Sequence, residues 1–384
     1  MAHNNASSQY PDVETLRTAF PVTEHCTYLN HAAVAPLPDP VRAAMSKFIA
    51  DRGVMFDRAR RYETISDDLR SVLAWLINGT PDEIALVQNT SEGLNIVANG
   101  LPLQAGDNVV FCDMEFPSNV YPWMNLRHRG IETRCLPHDG GGLTVEALER
   151  HADERTRVVT VSAVQFLTGF RSDLQALGAW CREHRAYFVV DGIQALGVVP
   201  VDVQACQIDF LSCAGPKWLM GPPGQGFIYC REELLDEILP PFAGCISVTG
   251  WENWRDYNLT FLPNACRFGL GCANTIGQIG LLAAVRLLMQ IGVPAIERWT
   301  LHLTDVLIAT LEQLGYEVVS NLDPQRRSAI VSFSAPGDVD ELFQRLSDAK
   351  VVVSKREQYI RVSPHCYNTE QEITRLGEVL SGAG

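Results

Sequence analysis

The segment RVVTVSAVQFLTGFRSDLQALGAWCREHRAYFVVDGI, residues 157–193, decides the fold. It begins with an apolar run rich in β-branched residues (157–164), continues with a stretch of helical character (173–184) and ends with a second apolar run (187–193). Strands that are apolar throughout, rather than alternating, are buried on both faces, and a helix between two of them is typical of a parallel sheet. The segment therefore predicts a β–α–β unit of an α/β protein.

The same texture continues on both sides of this segment. Apolar runs alternate with helical stretches from about residue 84 onward, and two later runs flank the turn GPPGQG (221–226), whose glycines and prolines indicate a tight connection. After residue 275 the pattern changes to one helix that is apolar nearly all round and one that is amphipathic, followed by a small unit of short strands and helices. The last helix opens with Thr369 and Glu372, a capping box.

These changes in pattern predict three parts of the chain. We expect a large domain over residues 25–285 and a small C-terminal α+β domain over residues 286–384, with a cleft between them. The N-terminal segment, residues 1–24, is expected to pack with the small domain.

Composition excludes several classes of protein. The chain has 384 residues, of which 46% are hydrophobic and 20% charged, so it is an ordinary globular protein and not collagen-like, coiled-coil or low-complexity. The net charge of −14 repels phosphate backbones and anionic lipids, which argues against nucleic acid and membrane partners.

The cysteines and the N-terminus point to the cytoplasm. Eleven cysteines are scattered without a CxxC or a compact cysteine/histidine spacing, which is typical of reduced thiols and predicts no metal site. The N-terminus lacks the charged and apolar regions of a signal peptide. The most apolar stretch, 276–296, is too interrupted by charge, glycine and proline to span a bilayer.

Two candidate residues follow strands of the predicted sheet. Asp191 ends the run YFVVD, and a carboxylate at the carboxyl end of a parallel strand points into the crevice where such sheets bind ligands, although a helix cap or turn residue is the simpler interpretation. Lys217 follows the run DFLSC, between Gly215-Pro216 and an apolar stretch. Most lysines are solvated surface charges. An apolar setting, however, lowers the pKa of an amine, so that more of it is uncharged and nucleophilic, and this makes Lys217 a candidate for a Schiff base.

Two further candidates lie elsewhere in the chain. Thr90 and Ser91 stand at the start of a helix, where such residues usually only cap it, but where free N–H groups and the helix dipole also bind phosphate. Arg361 lies in a short strand of the small domain. It is either a surface residue in a modest ion pair, or its guanidinium binds a substrate carboxylate in the cleft.

The four features together match the needs of pyridoxal 5′-phosphate chemistry. A lysine holds this cofactor as an imine, a carboxylate keeps the pyridine nitrogen protonated, and a helix N-terminus fixes the phosphate. An aromatic side chain can stack on the ring, and Phe116 is the candidate, against the alternative of an ordinary core residue.

Eight segments of this chain resemble the class V aminotransferase family of fold-type I pyridoxal phosphate enzymes, which holds cysteine desulfurases, selenocysteine lyases, isopenicillin N epimerase-like proteins and, more distantly, kynureninases. The resemblance runs from about residue 25 to the end, and its segments are YLNHAAVAPLP (28–38), NTSEGLN (89–95), EFPSNVYPW (115–123), SAVQFLTGFRSDL (162–174), VVDGIQALGVVPVDV (189–203), DFLSCAGPKWLMGPPGQGFIY (209–229), CRFGLGCANTIGQIG (266–280) and IRVSPHCYNTEQEI (360–373). It implies a large domain with a mostly parallel seven-stranded sheet, and a homodimer.

The resemblance also implies roles for individual residues. Lys217 would carry the cofactor, with Asp191 on the pyridine nitrogen and Gln194 near the ring 3-hydroxyl. Thr90 and Ser91 would contact the phosphate, and Arg361 would bind the substrate carboxylate. Asn30, Ala32 and Ala33 would lie beside the substrate. The segment around Gly271 and Cys272 would contribute to the site of the neighbouring subunit.

The chain departs from the family pattern at the phosphate. The family often reads Ser-Gly-His-Lys where this chain has Ala214-Gly215-Pro216-Lys217, and a Gly-Thr supplied by the partner subunit becomes Gly271-Cys272. The family's Ser, His and Thr contact the phosphate, so three polar contacts are absent here, and Gly269 also stands in place of a Glu. This predicts weaker binding of the cofactor unless Thr90, Ser91 and backbone donors compensate.

A second departure concerns the reaction. True cysteine desulfurases carry a mobile loop with a nucleophilic cysteine before the substrate arginine, whereas this chain has the short connection VVVSKREQY, residues 351–359, with no cysteine. We therefore expect chemistry on an external aldimine of a small α-amino acid by a carbon–sulfur lyase or aminotransferase, and no persulfide-forming desulfurase. The alternatives are an amino-acid epimerase, a kynureninase-like hydrolase, or a catalytically diminished binding protein that keeps only the fold.

Overall fold

Among the residues that the structure describes, twelve strands form the sheets. The computed structural model describes residues 10–54 and 62–382. In chain order the strands are β1 (Thr27–Tyr28), β2 (Ile84–Val87), β3 (Asn108–Cys112), β4 (Glu132–Leu136), β5 (Thr156–Ser162), β6 (Tyr187–Asp191), β7 (Phe210–Ala214), β8 (Gly226–Cys230), β9 (Val331–Ser334), β10 (Val351–Val352), β11 (Ser354–Arg356) and β12 (Tyr359–Val362).

The described residues also form α-helices that cover these sheets. In chain order they are α1 (Val13–Arg17), α2 (Asp39–Val54), α3 (Ile65–Ile77), α4 (Thr90–Gly100), α5 (Tyr121–Met124), α6 (Val145–His151), α7 (Leu174–His184), α8 (Thr275–Ile291), α9 (Val293–Gln313), α10 (Val339–Asp348) and α11 (Glu370–Leu380). No single one of them is long and apolar enough to cross a bilayer, although α8 and α9, bent by 77°, have the length and composition as a pair.

The central sheet has seven strands in the order β2-β8-β7-β6-β5-β3-β4. Its neighbours from β7 to β4 are parallel, and only β8 runs antiparallel to the strands on either side. The expected α/β class and mostly parallel seven-stranded sheet are confirmed. Because β2 and the strands from β7 to β4 share one direction, their carboxyl ends all lie at the same edge of the sheet.

Both faces of this sheet are buried, as its continuous apolar strands predict. Strand β6 shows the two-sided packing, since Phe188 and Val190 belong to one apolar cluster while Val189 belongs to the other. Helix α7 packs in the first cluster and α4 in the second. Helix α4 approaches the sheet closely because Gly93 has no side chain: a Cβ there would lie 2.2 Å from Ser212 Oγ.

The C-terminal part of the chain builds a separate core around two small sheets. Strands β11, β12 and β9 form an antiparallel sheet, and β10 pairs in parallel with β1 near the N-terminus. Helices α9, α10 and α11 enclose a third apolar cluster with these strands. Arg17 of α1 joins this part through an ion pair with Glu372 at 3.0 Å and a hydrogen bond to the carbonyl of Tyr367. Residue 286, the expected domain boundary, falls within α8.

Candidate active site

The carboxyl edge of the central sheet gathers the predicted residues. Thr90 follows β2, Phe116 follows β3, Asp191 ends β6 and Lys217 follows β7. The Lys217 Nζ lies 5.7 Å from the centroid of the Phe116 ring, and Lys217 lies within electrostatic range of Asp191 and Arg361. We call the site that Lys217, Asp191, Phe116 and Arg361 define the active-site chamber.

Lys217 has the properties of a reactive amine. Desolvation lowers its pKa from 10.5 to about 8. The negative charge of Asp191 opposes this shift, while the positive charge of Arg361 adds to it. Lys217 is only partly exposed, and the residue that follows it, Trp218, is completely buried. The interpretation of Lys217 as a solvated surface charge is therefore wrong.

Asp191 lies buried at the end of β6. The pKa of its carboxyl is raised to about 7, mainly by burial, and the nearby charge of Glu115 acts in the same direction. The backbone N–H of Ile193 donates to Asp191 Oδ1 at 3.0 Å and favours the ionised form, as does the charge of Lys217. Asp191 makes this local turn contact as the simpler interpretation predicts, and its charge also acts on the amine of Lys217.

A buried network around Glu115 was not found from the sequence. Its carboxylate accepts hydrogen bonds from the backbone N–H and hydroxyl of Ser162, at 2.8 and 2.6 Å, and from the side-chain amides of Gln165 and Asn119, at 2.7 and 2.8 Å. Burial raises the pKa of Glu115, and these four donors oppose the shift. Since Phe116 is the next residue, the network fixes the loop that carries the aromatic ring against β5.

The start of helix α4 leaves two hydroxyls without a capping role. The cap is Asn89, whose Oδ1 accepts from the backbone N–H of Glu92 at 2.9 Å. Thr90 Oγ1 is buried and has no hydrogen-bond partner among the described residues, and the Ser91 hydroxyl donates to Ser118 Oγ at 2.8 Å. The expectation that Thr90 and Ser91 merely cap the helix is therefore wrong. An unsatisfied hydroxyl at a helix N-terminus is the arrangement that a phosphate would complete.

Arg361 is completely enclosed on β12, at 1% exposure, so it is not a surface residue. Its Nη1 donates to the carbonyl of Phe166 at 2.5 Å and its Nη2 to Ser354 Oγ at 3.4 Å, while Nε has no partner among the described residues. Burial, and then the charge of Arg356, lower the pKa of the guanidinium to about 9. Ser354 in turn donates to Asn30 Oδ1 at 2.5 Å, which brings Asn30 beside the arginine.

Gln194 is buried next to the segment that holds Asn30. Its Nε2 donates to the carbonyl of Ala32 at 3.0 Å, and its Oε1 accepts from Trp218 Nε1 at 2.7 Å. Ala33, which follows Ala32 in the chain, is partly exposed. Segments more than 150 residues apart in sequence are therefore in direct contact here.

Cys272, which is also a predicted cofactor contact, lies on the surface of this single chain. It is exposed and lines a different cleft, with Gln88, Glu92 and Asn274 among its neighbours. This position is compatible with the expectation that the segment around it serves a neighbouring subunit.

Comparison with known proteins identifies relatives over nearly the whole chain. Residues 27–376 match the family described as Aminotransferase class-V. A probable cysteine desulfurase of Methanothermobacter thermautotrophicus is 32% identical, over 96% of this chain and 97% of the relative.

Solved structures agree with these relatives. The apo structure of a cysteine desulfurase from Thermococcus onnurineus NA1 has a TM-score of 0.89 and 27% identity, covering 98% of both chains. The cystine C-S lyase C-DES, in complex with its reaction product cysteine persulfide, has a TM-score of 0.87 and 26% identity, covering 94% of this chain and 99% of its own. A variant of C-DES has glycine covalently linked to its pyridoxal phosphate cofactor.

These findings overturn one expectation. The preference for a carbon–sulfur lyase or aminotransferase, to the exclusion of a persulfide-forming desulfurase, is wrong, because the relatives that match most of the chain are named cysteine desulfurases. The epimerase, kynureninase-like and binding-protein alternatives do not match these names either. The absence of a cysteine from residues 351–359 therefore does not separate this chain from relatives that are named cysteine desulfurases.

Proposed function

The chain belongs to the class-V aminotransferase family, and on this basis we propose that it is a cysteine desulfurase that uses pyridoxal 5′-phosphate to remove sulfur from cysteine. The observation that carries the proposal is the chamber itself, where a desolvated lysine lies within electrostatic range of a buried carboxylate and a buried arginine. A chamber of this kind can hold an amino acid by its carboxylate and move protons at its carbon atoms.

The family and the solved neighbours confirm a pyridoxal phosphate-dependent enzyme. The residues present fit this cofactor: Lys217 has an amine of lowered pKa, and the orphaned buried hydroxyl of Thr90 lies at a helix N-terminus. We propose that Lys217 holds the aldehyde carbon, that Thr90 and Ser91 hold the phosphate, and that Phe116 and Gln194 contact the ring.

When bound, pyridoxal phosphate supplies a ring that withdraws electrons from the α-carbon of the substrate. Asp191 is the residue that would hold the proton on the ring nitrogen, because it is the buried carboxylate beside the amine. Lys217 is the general acid and base: with a pKa of about 8 its Nζ can both take and return a proton near neutral pH.

Arg361 would bind the carboxylate of the substrate. Its guanidinium is already oriented by Phe166 and Ser354, and its Nε finds no partner among the residues that the structure describes, so a carboxylate would complete its hydrogen bonds. We propose that Asn30 and Ala33 line the space beside the substrate, since Asn30 is joined to Arg361 through Ser354.

We also propose a homodimer in which Cys272 reaches the site of the second copy. Large apolar side chains are exposed on the segment before Cys272, including Trp254 at 83% and Tyr257 at 96%, and a second copy would cover such residues. The compartment we propose is the cytoplasm, which is supported by the fact that all eleven cysteines are free.

The products of the reaction test the proposed function. The purified enzyme, loaded with pyridoxal phosphate, is supplied with L-cysteine and an excess of a small thiol, which accepts the sulfur atom as a persulfide and reduces it to sulfide while two thiols are oxidised to a disulfide. We expect alanine and sulfide in equal amounts. Pyruvate and ammonia in place of alanine, or no turnover of cysteine by an enzyme that carries the cofactor, would contradict the proposal.

A further inference from the structure

Trp218 is tied to the chamber through Gln194. The indole is completely buried, and its Nε1 donates to Gln194 Oε1 at 2.7 Å. On the other side of the same amide, Gln194 Nε2 donates to the carbonyl of Ala32 at 3.0 Å. Gln194 is itself 2% exposed, so water does not compete for these contacts.

These two neighbours fix which way the amide points. A glutamine amide can rotate by half a turn with little change in shape, which exchanges its oxygen and nitrogen. The rotated form would place the amide nitrogen against the indole N–H and the amide oxygen against the Ala32 carbonyl, so both hydrogen bonds would be lost. Since Nε2 carries two hydrogens and Ala32 takes one, Gln194 offers its remaining N–H as a donor.

The backbone carbonyl of Trp218 is also fixed by its neighbours. Its carbonyl accepts a hydrogen bond from His365 Nε2 at 3.1 Å, and His365 Nδ1 accepts from the backbone N–H of Cys366 at 2.7 Å, which fixes the tautomer. Gly197 lies against the same carbonyl: a Cβ there would be 2.3 Å from the Trp218 oxygen. Since Lys217 directly precedes Trp218, this arrangement holds the lysine backbone as well.

We propose that Trp218 is a positioning residue that fixes the Gln194 amide as a hydrogen-bond donor toward the phenolic oxygen of pyridoxal phosphate. The proposal rests on the proposed function, in which Gln194 contacts the ring. With the cofactor bound, a donor to that oxygen would withdraw negative charge from beside the nitrogen of Lys217, so that this nitrogen would lose its proton at lower pH. Without the indole N–H, only the Ala32 carbonyl still favours this orientation, so the rotated form of the amide becomes more populated and part of this effect disappears.

The test is the pH dependence of the visible absorption band of the loaded enzyme. Trp218→Phe keeps an apolar ring but removes the donor, and we expect the pH at which the band changes to rise by at least about 0.5 units. Gln194→Leu should raise it further, and adding Trp218→Phe to Gln194→Leu should change nothing more, since the indole acts through the amide. An unchanged profile in Trp218→Phe, or additive shifts in the double variant, would overturn the proposal.

Two controls keep the outcomes distinct. If the wild-type protein shows no absorption band with added pyridoxal phosphate, the proposed function fails; if it does and the profile is unaffected by Trp218→Phe, only the positioning role fails. Should Trp218→Phe not fold, hydrogen exchange of the tryptophan indole N–H groups in the cofactor-free protein replaces this variant as the test. One indole N–H of the seven tryptophans should exchange much faster in Gln194→Leu than in wild type, and equal exchange of all seven would overturn the proposal.

Discussion

The reactivity of Lys217 should reveal its lowered pKa before any cofactor is bound. Its pKa falls from 10.5 to about 8 because the amine is desolvated. At pH 7 about 10% of such amines are uncharged, compared with about 0.03% for an ordinary lysine, a difference of roughly 300-fold in the nucleophilic form. Replacing Asp191 with Asn removes a negative charge that raises this pKa, so the pKa of Lys217 should fall further.

Competitive labelling measures this directly. The chain has only four lysines, Lys47, Lys217, Lys350 and Lys355, so each can be followed in a separate peptide by mass spectrometry. The cofactor-free protein is labelled with trace acetic anhydride over a range of pH, and the other three lysines provide an internal reference. The labelling of Lys217 should rise with a midpoint near pH 8, and at lower pH in Asp191→Asn.

A midpoint near 10.5 for Lys217 would refute the reasoning, because it would mean that the amine is fully solvated. A midpoint that rises in Asp191→Asn would refute the assigned role of the carboxylate, since its charge would then not stabilise the ammonium form. Equal unfolding temperatures of the two proteins are the control for intact structure.

Three other changes are predicted. Lys217→Ala should lose the visible absorption band and all turnover while its circular dichroism is unchanged; remaining turnover would exclude the role of the lysine. Arg361→Ala should raise the KM for cysteine about 30-fold or more, because a buried charge pair with the substrate carboxylate is lost, without changing the Kd of pyridoxal phosphate; loss of the cofactor instead would mean that the residue is misplaced. Gly93→Ala should lower the free energy of unfolding by about 1–3 kcal/mol in urea titrations, since its Cβ would lie 2.2 Å from Ser212 Oγ. Gly53→Ala, where a Cβ meets nothing within 4 Å, is the matched control and should not destabilise.

The parts of the site that could be predicted from sequence are those set by local pattern. Asp191 and Lys217 follow apolar strands, and parallel strands bring their carboxyl ends to one edge, so their proximity follows from the fold class. The helix start at Thr90 is local too, although the structure shows that Asn89 supplies the cap and leaves the Thr90 hydroxyl free.

The contacts that orient these residues could not be predicted, because they join distant segments. Arg361 is held by Phe166, 195 residues away in sequence, and Gln194 by Ala32, 162 residues away. The Glu115 network depends on the side-chain geometry of three elements that share no sequence signal. The reaction was predicted wrongly for a related reason: a short loop without cysteine is a local feature, while relatives over the whole chain are named cysteine desulfurases.

The most direct test of the central claim is to locate the cofactor on the chain. The enzyme loaded with pyridoxal phosphate is reduced with borohydride, digested, and searched by mass spectrometry for the pyridoxyl group. We predict the group on Lys217 in one copy per chain. Its presence on Lys47, Lys350 or Lys355 instead, or the absence of any labelled lysine, would contradict the account.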